Sequence, residues 1–165
     1  MQKRVISLLV DNTAGVLSRI SGLFSRRGYN IDSLTVGETA DSRFSRMTVV
    51  CSGDILILEQ ITKQLKKLVD VRDIKILDVE DSVIRELVLI KVSARPDQRQ
   101  GIISIANIFR AKVVDVSKDS LIVEMTGTKS KLEAFIDLMG DYEILELART
   151  GVTGLSRGAE NVRFF

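Results

Sequence analysis

The apolar residues of this chain run through the same succession of spacings twice, and that duplication limits the fold more than any other feature of its 165 residues. In the first half, residues 5–10 form an apolar run of strand length, followed by a turn and cap cluster, Asp11-Asn12-Thr13. Val16, Leu17, Ile20, Leu23 and Phe24 then fall at the offsets of a helix stripe, and Gly28 stands where a helix ends on a left-handed residue. Residues 31–36 and 44–51 read as strands flanking a loop at 37–42, with Met47, Val49 and Cys51 on one face, and so predict a hairpin. Asp54 caps a second stripe of Ile55, Leu58, Ile61, Leu65 and Leu68, and residues 71–79 supply a fourth strand. The order is βαββαβ.

The second half repeats it in looser form. Residues 87–92 read as a strand, Ile102, Ile105, Ala106 and Phe109 as a helix stripe, and 113–116 with 121–125 as a hairpin. Leu132, Phe135, Ile136 and Met139 mark another helix, and 144–148 a last strand. The expected fold is therefore α+β: two tandem ferredoxin-like βαββαβ domains, each a small sheet with two helices on one face. Glu80-Asp81-Ser82 reads as the linker, which divides the chain into domains 1–79 and 83–158 and a tail, 159–165. Pro96 falls between a strand and a helix, where a fixed φ does no harm. Residues 151–158 hold three glycines in eight positions and read as an irregular docking segment.

Composition removes much chemistry. With no His there is no imidazole base and no His-liganded metal, and a single Cys51 allows neither an intramolecular disulfide nor a zinc knuckle. Lys and Arg number 24 against 22 Asp and Glu, a net charge of +2, which argues against sequence-independent nucleic-acid binding. The apolar run after Met1-Gln2-Lys3-Arg4 is too short for a signal sequence or a membrane span, so a cytoplasmic protein without membrane or nucleic-acid partners is expected. Dinucleotide and Walker patterns are missing, and no catalytic set can be assembled. Arg26-Arg27 complement a helix dipole, and Cys51 reads as a small buried hydrophobe.

The most informative stretch is the first strand-to-helix corner, residues 11–17. A helix start exposes unpaired N–H groups and partial positive charge, so an anion can bind there. Gly15 lacks the Cβ that would block approach, and Asn12 both donates and accepts, which suits the carboxylate and ammonium of an α-amino acid. The plainer reading of the same residues is that Asp11 or Asn12 caps the helix and Gly15 accommodates packing. Asn30, ahead of Ile31 at the start of the second strand, reads by itself as a turn residue.

Residues 8–19 (LLVDNTAGVLSR), 22–36 (GLFSRRGYNIDSLTV) and 45–48 (SRMT) resemble the regulatory small subunits of acetolactate synthase, also called acetohydroxyacid synthase. Asp70-Val71, Ile108-Phe109-Arg110, Gly127 ahead of 131–135 (KLEAF), and 149–151 (RTG) with 154–158 (GLSRG) are similar too. The first 80 residues resemble an ACT domain, an amino-acid-sensing module, and the second half a divergent ACT-like one. The resemblance implies a non-catalytic subunit that binds the large catalytic subunit, raises its activity and transmits feedback inhibition by valine or another branched-chain amino acid. Thiamine diphosphate, Mg²⁺ and FAD would reside on that partner, with no cofactor on this chain. It further implies a homodimer paired through its ACT domains, with the effector held by Asn12, Gly15, Val16 and Leu17 of one protomer and Asn30 with Ile31 of its mate. The alternative from the same module is a freestanding amino-acid sensor acting on a different enzyme or regulator.

Overall fold

The computed structural model describes residues 1–159, so the expected tail from residue 160 onward lies outside the described residues. The elements follow in the order β1 (Gln2–Asp11), α1 (Val16–Arg26), β2 (Asn30–Glu38), β3 (Phe44–Gly53), α2 (Ile55–Lys66), β4 (Val71–Leu77), β5 (Ser82–Ser93), α3 (Arg99–Ile108), β6 (Lys112–Val116), β7 (Ser120–Gly127), α4 (Lys129–Met139), β8 (Ile144–Arg149) and β9 (Thr153–Ser156). The first sheet has the strand order β2-β3-β1-β4 and the second β6-β7-β5-β8, antiparallel throughout. The repeat read from spacing is thus a repeat of topology, and the α+β fold of two tandem ferredoxin-like units holds. Two compact units divide inside β5, between Ile84 and Arg85.

Alternation along the strands builds each core. In the first unit Ile6, Leu8 and Val10 of β1 and Met47, Val49 and Cys51 of β3 turn to one face. There they meet Val16, Ile20, Leu23 and Phe24 of α1 and Leu58, Ile61 and Leu65 of α2. In the second unit, Val88, Ile90 and Val92 of β5 with Leu121, Val123 and Met125 of β7 pack on Ile102, Ala106, Leu132, Phe135 and Met139. Leu17 departs from the expected stripe: the residue is 47% exposed, because the buried arc of α1 is narrower than the offsets suggested.

Both repeats end their first helix the same way. After α1, Gly28 adopts φ +67°, its N–H donates to Ser25 O, and the Tyr29 N–H donates to Phe24 O, closing the helix in a Schellman motif. After α3, Arg110 takes φ +56°, with Arg110 N–H on Asn107 O and Ala111 N–H on Ala106 O. The second repeat keeps the turn without the glycine. At the second helix the expected cap forms, the Asp54 carboxylate accepting from Ile57 N–H at 2.9 Å.

Cys51 is fully buried in β3, and burial pushes its thiol up to about 11. The folded protein at pH 8 should therefore resist iodoacetamide, with about one thiol in a thousand ionised, and react quickly in denaturant. The neutral thiol's contribution to stability is complete below the ordinary thiol range and should fall as pH rises toward about 11. Rapid native-state alkylation would contradict the burial.

The stretch read as irregular contains a strand. β9 pairs with the start of β5, and residues 152–159 pack with the first unit although they follow the second repeat in sequence. β9 lies on the face of the first sheet opposite the helices. The Val152 carbonyl accepts from Thr35 Oγ1 at 2.6 Å, the Val152 N–H donates to Ser33 Oγ at 3.1 Å, and Lys75 Nζ donates to Ser156 Oγ at 2.8 Å. This anchoring explains why β5 begins at Ser82, ahead of the expected strand: Val83 and Ile84 lie against Gly154 of β9.

Candidate functional site

The corner between β1 and α1 is open at the helix start. Gly15 is the N-cap residue, left-handed at φ +87°, and no side chain caps the helix, so neither Asp11 nor Asn12 takes the capping role that the sequence allowed them. Both are occupied elsewhere. Asp11 receives Arg72 through Nε at 2.7 Å and Nη2 at 2.9 Å. Asn12 fastens the corner to the β2–β3 loop, its N–H on Arg43 O at 2.8 Å and its Nδ2 on Ser42 O at 2.9 Å. The Arg19 N–H is the first to find its helical partner, Gly15 O, at 3.0 Å. The N–H groups of Val16, Leu17 and Ser18 precede that first bond and face outward along the axis. Val16 itself anchors in the core, whereas the exposed Leu17 presents an aliphatic side chain beside the corner.

An ion pair that the sequence reading did not single out braces this corner. Arg19 grips Asp70 with Nε at 2.5 Å and Nη2 at 3.0 Å, and the Asp70 carbonyl accepts the Asp11 N–H at 2.9 Å. Asp70 is 7% exposed, and its hydrogen bonds from Arg19 hold its carboxyl below the usual carboxylate range. The signal for Arg19 was its position four residues after Gly15, one helical turn onward on the same face. Its partner 51 residues away had no local signature.

Asn30 and Ile31 open β2 at the other end of the sheet. Asn30 Nδ2 donates to Asp32 Oδ1 at 2.6 Å, the Ser52 hydroxyl also reaches Asp32, and Ile31 packs partly against the core. Asp11 stands opposite Phe44 and Asn30 opposite Ser52, eight residues further along β3, which separates the two clusters by about 26 Å. One protomer therefore brings Asn12, Gly15, Val16 and Leu17 together and does not bring Asn30 and Ile31 to them.

The topology of the first unit and its open helix start accompany a match to a family model, and on that match the chain carries an ACT domain. Residues 6–73 match the model of the AHAS small subunit-like ACT domain, and residues 85–158 that of the small subunit of acetolactate synthase. A probable acetolactate synthase small subunit of Archaeoglobus fulgidus is 54% identical over 157 residues, covering 94% of this chain and 98% of that one. The acetolactate synthase small subunit of Bacillus subtilis is 48% identical over 162 residues, covering 96% and 92%. The crystal structure of the small subunit from Thermotoga maritima superposes with a TM-score of 0.89 at 41% identity, over 96% of this chain and 99% of that one. This chain belongs to the family of acetolactate synthase small subunits. Among the described residues no helix is long and apolar enough to cross a membrane.

Proposed function

We propose that this chain is the non-catalytic partner of an acetolactate synthase: it binds the large catalytic subunit, raises its activity, and lowers it again when valine or another branched-chain amino acid binds. The observation that carries the effector site is the separation of its two halves within one protomer. β2 is an edge strand, and its last residue, Glu38, stands opposite Ser45 at the same end of the sheet as the Asn12 corner. A second copy adding its β2 antiparallel about a two-fold axis would bring its Asn30 to that end, completing the site and covering the exposed edge.

In this reading, N–H groups at the first turn of α1 hold the carboxylate, and Asn12 with the mate's Asn30 orients the polar end. Leu17 and the mate's Ile31 enclose the aliphatic group. Residues 1–79 supply effector binding and pairing, and residues 83–158 complete the subunit. The chemistry of pyruvate condensation, with its thiamine diphosphate, Mg²⁺ and FAD, stays on the large subunit in the cytoplasm. An effector that bridges two chains favours the pair that closes the site, and a coupling of about 1 to 3 kcal/mol changes activity roughly 5- to 150-fold.

Reconstitution tests this. The chain alone should not condense pyruvate; added to the large subunit encoded by the same genome it should raise the rate, and titration with valine, leucine and isoleucine should reverse the rise. Turnover by the isolated chain, or indifference of the large subunit to it, would overturn the assignment, and a pull-down that recovers a different enzyme would favour the freestanding sensor.

A further inference from the structure

We infer that Arg19 selects the effector's carboxylate, acting as a fixed cation over the N-cap of α1; the inference rests on the effector site just proposed. The guanidinium is divided in two by its contacts. Its Nε and Nη2 edge is committed to Asp70, a buried carboxylate, through two parallel hydrogen bonds. Its Nη1 lies over Gly15, only 2.9 Å from where a Cβ at that position would stand. The glycine thus provides the left-handed entry to the helix and also the space that Nη1 fills.

The consequence is a cation held in one place at the mouth of the corner. The Arg19 side chain is 50% exposed, so Nη1 is within reach of a small solute, while the Asp70 fork prevents the guanidinium from swinging away. Asp70 is itself fixed through its backbone carbonyl on Asp11, the residue that ends β1 beside the corner. A carboxylate approaching the N–H groups of Val16 and Leu17 would meet Nη1 on the side of Gly15. A lysine could supply the charge but not this placement, because it has no second edge for Asp70 to hold. The specificity this gives is for a free α-carboxylate, separate from the aliphatic selection made by Leu17 and Ile31.

The test is calorimetric titration of the full-length chain with L-valine and with L-valinamide, whose neutral amide replaces the carboxylate at nearly the same shape. The wild type should prefer valine by about tenfold or more, as a charge-assisted contact requires. In Arg19→Gln the valine affinity should fall by about tenfold while that of valinamide changes less than about twofold, and Arg19→Lys should recover only part of the preference. A parallel fall for both ligands would mean that Arg19 only supports the fold, and an unchanged valine affinity would mean that it does not meet the ligand; either result overturns the inference and leaves the effector site standing. Failure of the wild type to bind valine, leucine or isoleucine would instead remove the site itself.

Discussion

Gly15→Asp should abolish the response to branched-chain amino acids, with valine affinity at least about a hundredfold lower and inhibition of the reconstituted synthase lost relative to the variant's own uninhibited rate. Three effects act together. At φ +87° any side chain is strained, which costs about 1 to 2 kcal/mol. The new Cβ meets Arg19 Nη1 at 2.9 Å, so the guanidinium must move off its seat. The added carboxylate then lies against the N–H groups of Val16 and Leu17, taking the place of the ligand's carboxylate and repelling it. The core beneath is untouched, because Val16, Ile20 and Phe24 point the other way. A loss of binding with only a few degrees' loss of thermal stability is expected, and normal valine inhibition in this variant would remove the corner from the site.

The second large effect is at the other end of the chain. Gly154→Val should detach β9 from the back of the first sheet. A Cβ at Gly154 would stand 2.9 Å from both Ile84 Cγ1 and the Val83 carbonyl oxygen, and 3.1 Å from Leu77 Cδ1. The Val83 oxygen is backbone and cannot rotate away. Overpacking of this kind costs about 1 to 3 kcal/mol, and the hydrogen bonds of Val152 and Ser156 to Ser33, Thr35 and Lys75 would be lost with the strand. A fall in melting temperature on the order of 5 °C or more, read by differential scanning calorimetry, is expected. Hydrogen exchange should locate the loss in β9 and in the amides at the start of β5. An unchanged melting curve would contradict the role of β9 as an anchored strand.

What was legible in the sequence was what is local. Helix stripes, caps and alternating strands depend on neighbours a few residues apart, so Asp54 as a cap and Gly28 as a terminator were readable directly. The repeat was readable because the same local pattern recurs, even where Arg110 replaces the glycine of the first copy. What escaped was set by partners far along the chain. The strand at Thr153–Ser156 has too few apolar residues to signal itself and is held by Ser33, Thr35 and Lys75, about 80 to 120 positions earlier. The open helix start was obscured for a similar reason. Asp11 and Asn12 have the right chemistry to cap α1, but Arg72 and the 42–43 loop engage them first. Gly15 stood out from the helix-start corner itself, beside a plainer packing reading, whereas Asn30 became a candidate only through family resemblance; the sheet register adds that a single protomer keeps them far apart.

The most direct test of a site shared between two copies is a mixing experiment. Gly15→Asp spoils the corner, and Asn30→Tyr fills the place where the mate's β2 begins; each variant alone, folded as judged by circular dichroism, should bind no valine. In a mixed dimer one site receives both substitutions and the other receives neither, so unfolding and refolding the two variants together should restore binding at one site per mixed dimer, with wild-type affinity. Silent titrations from the mixture, with mixed dimers demonstrated by mass spectrometry, would show that the corner and Asn30 do not serve one ligand across two chains.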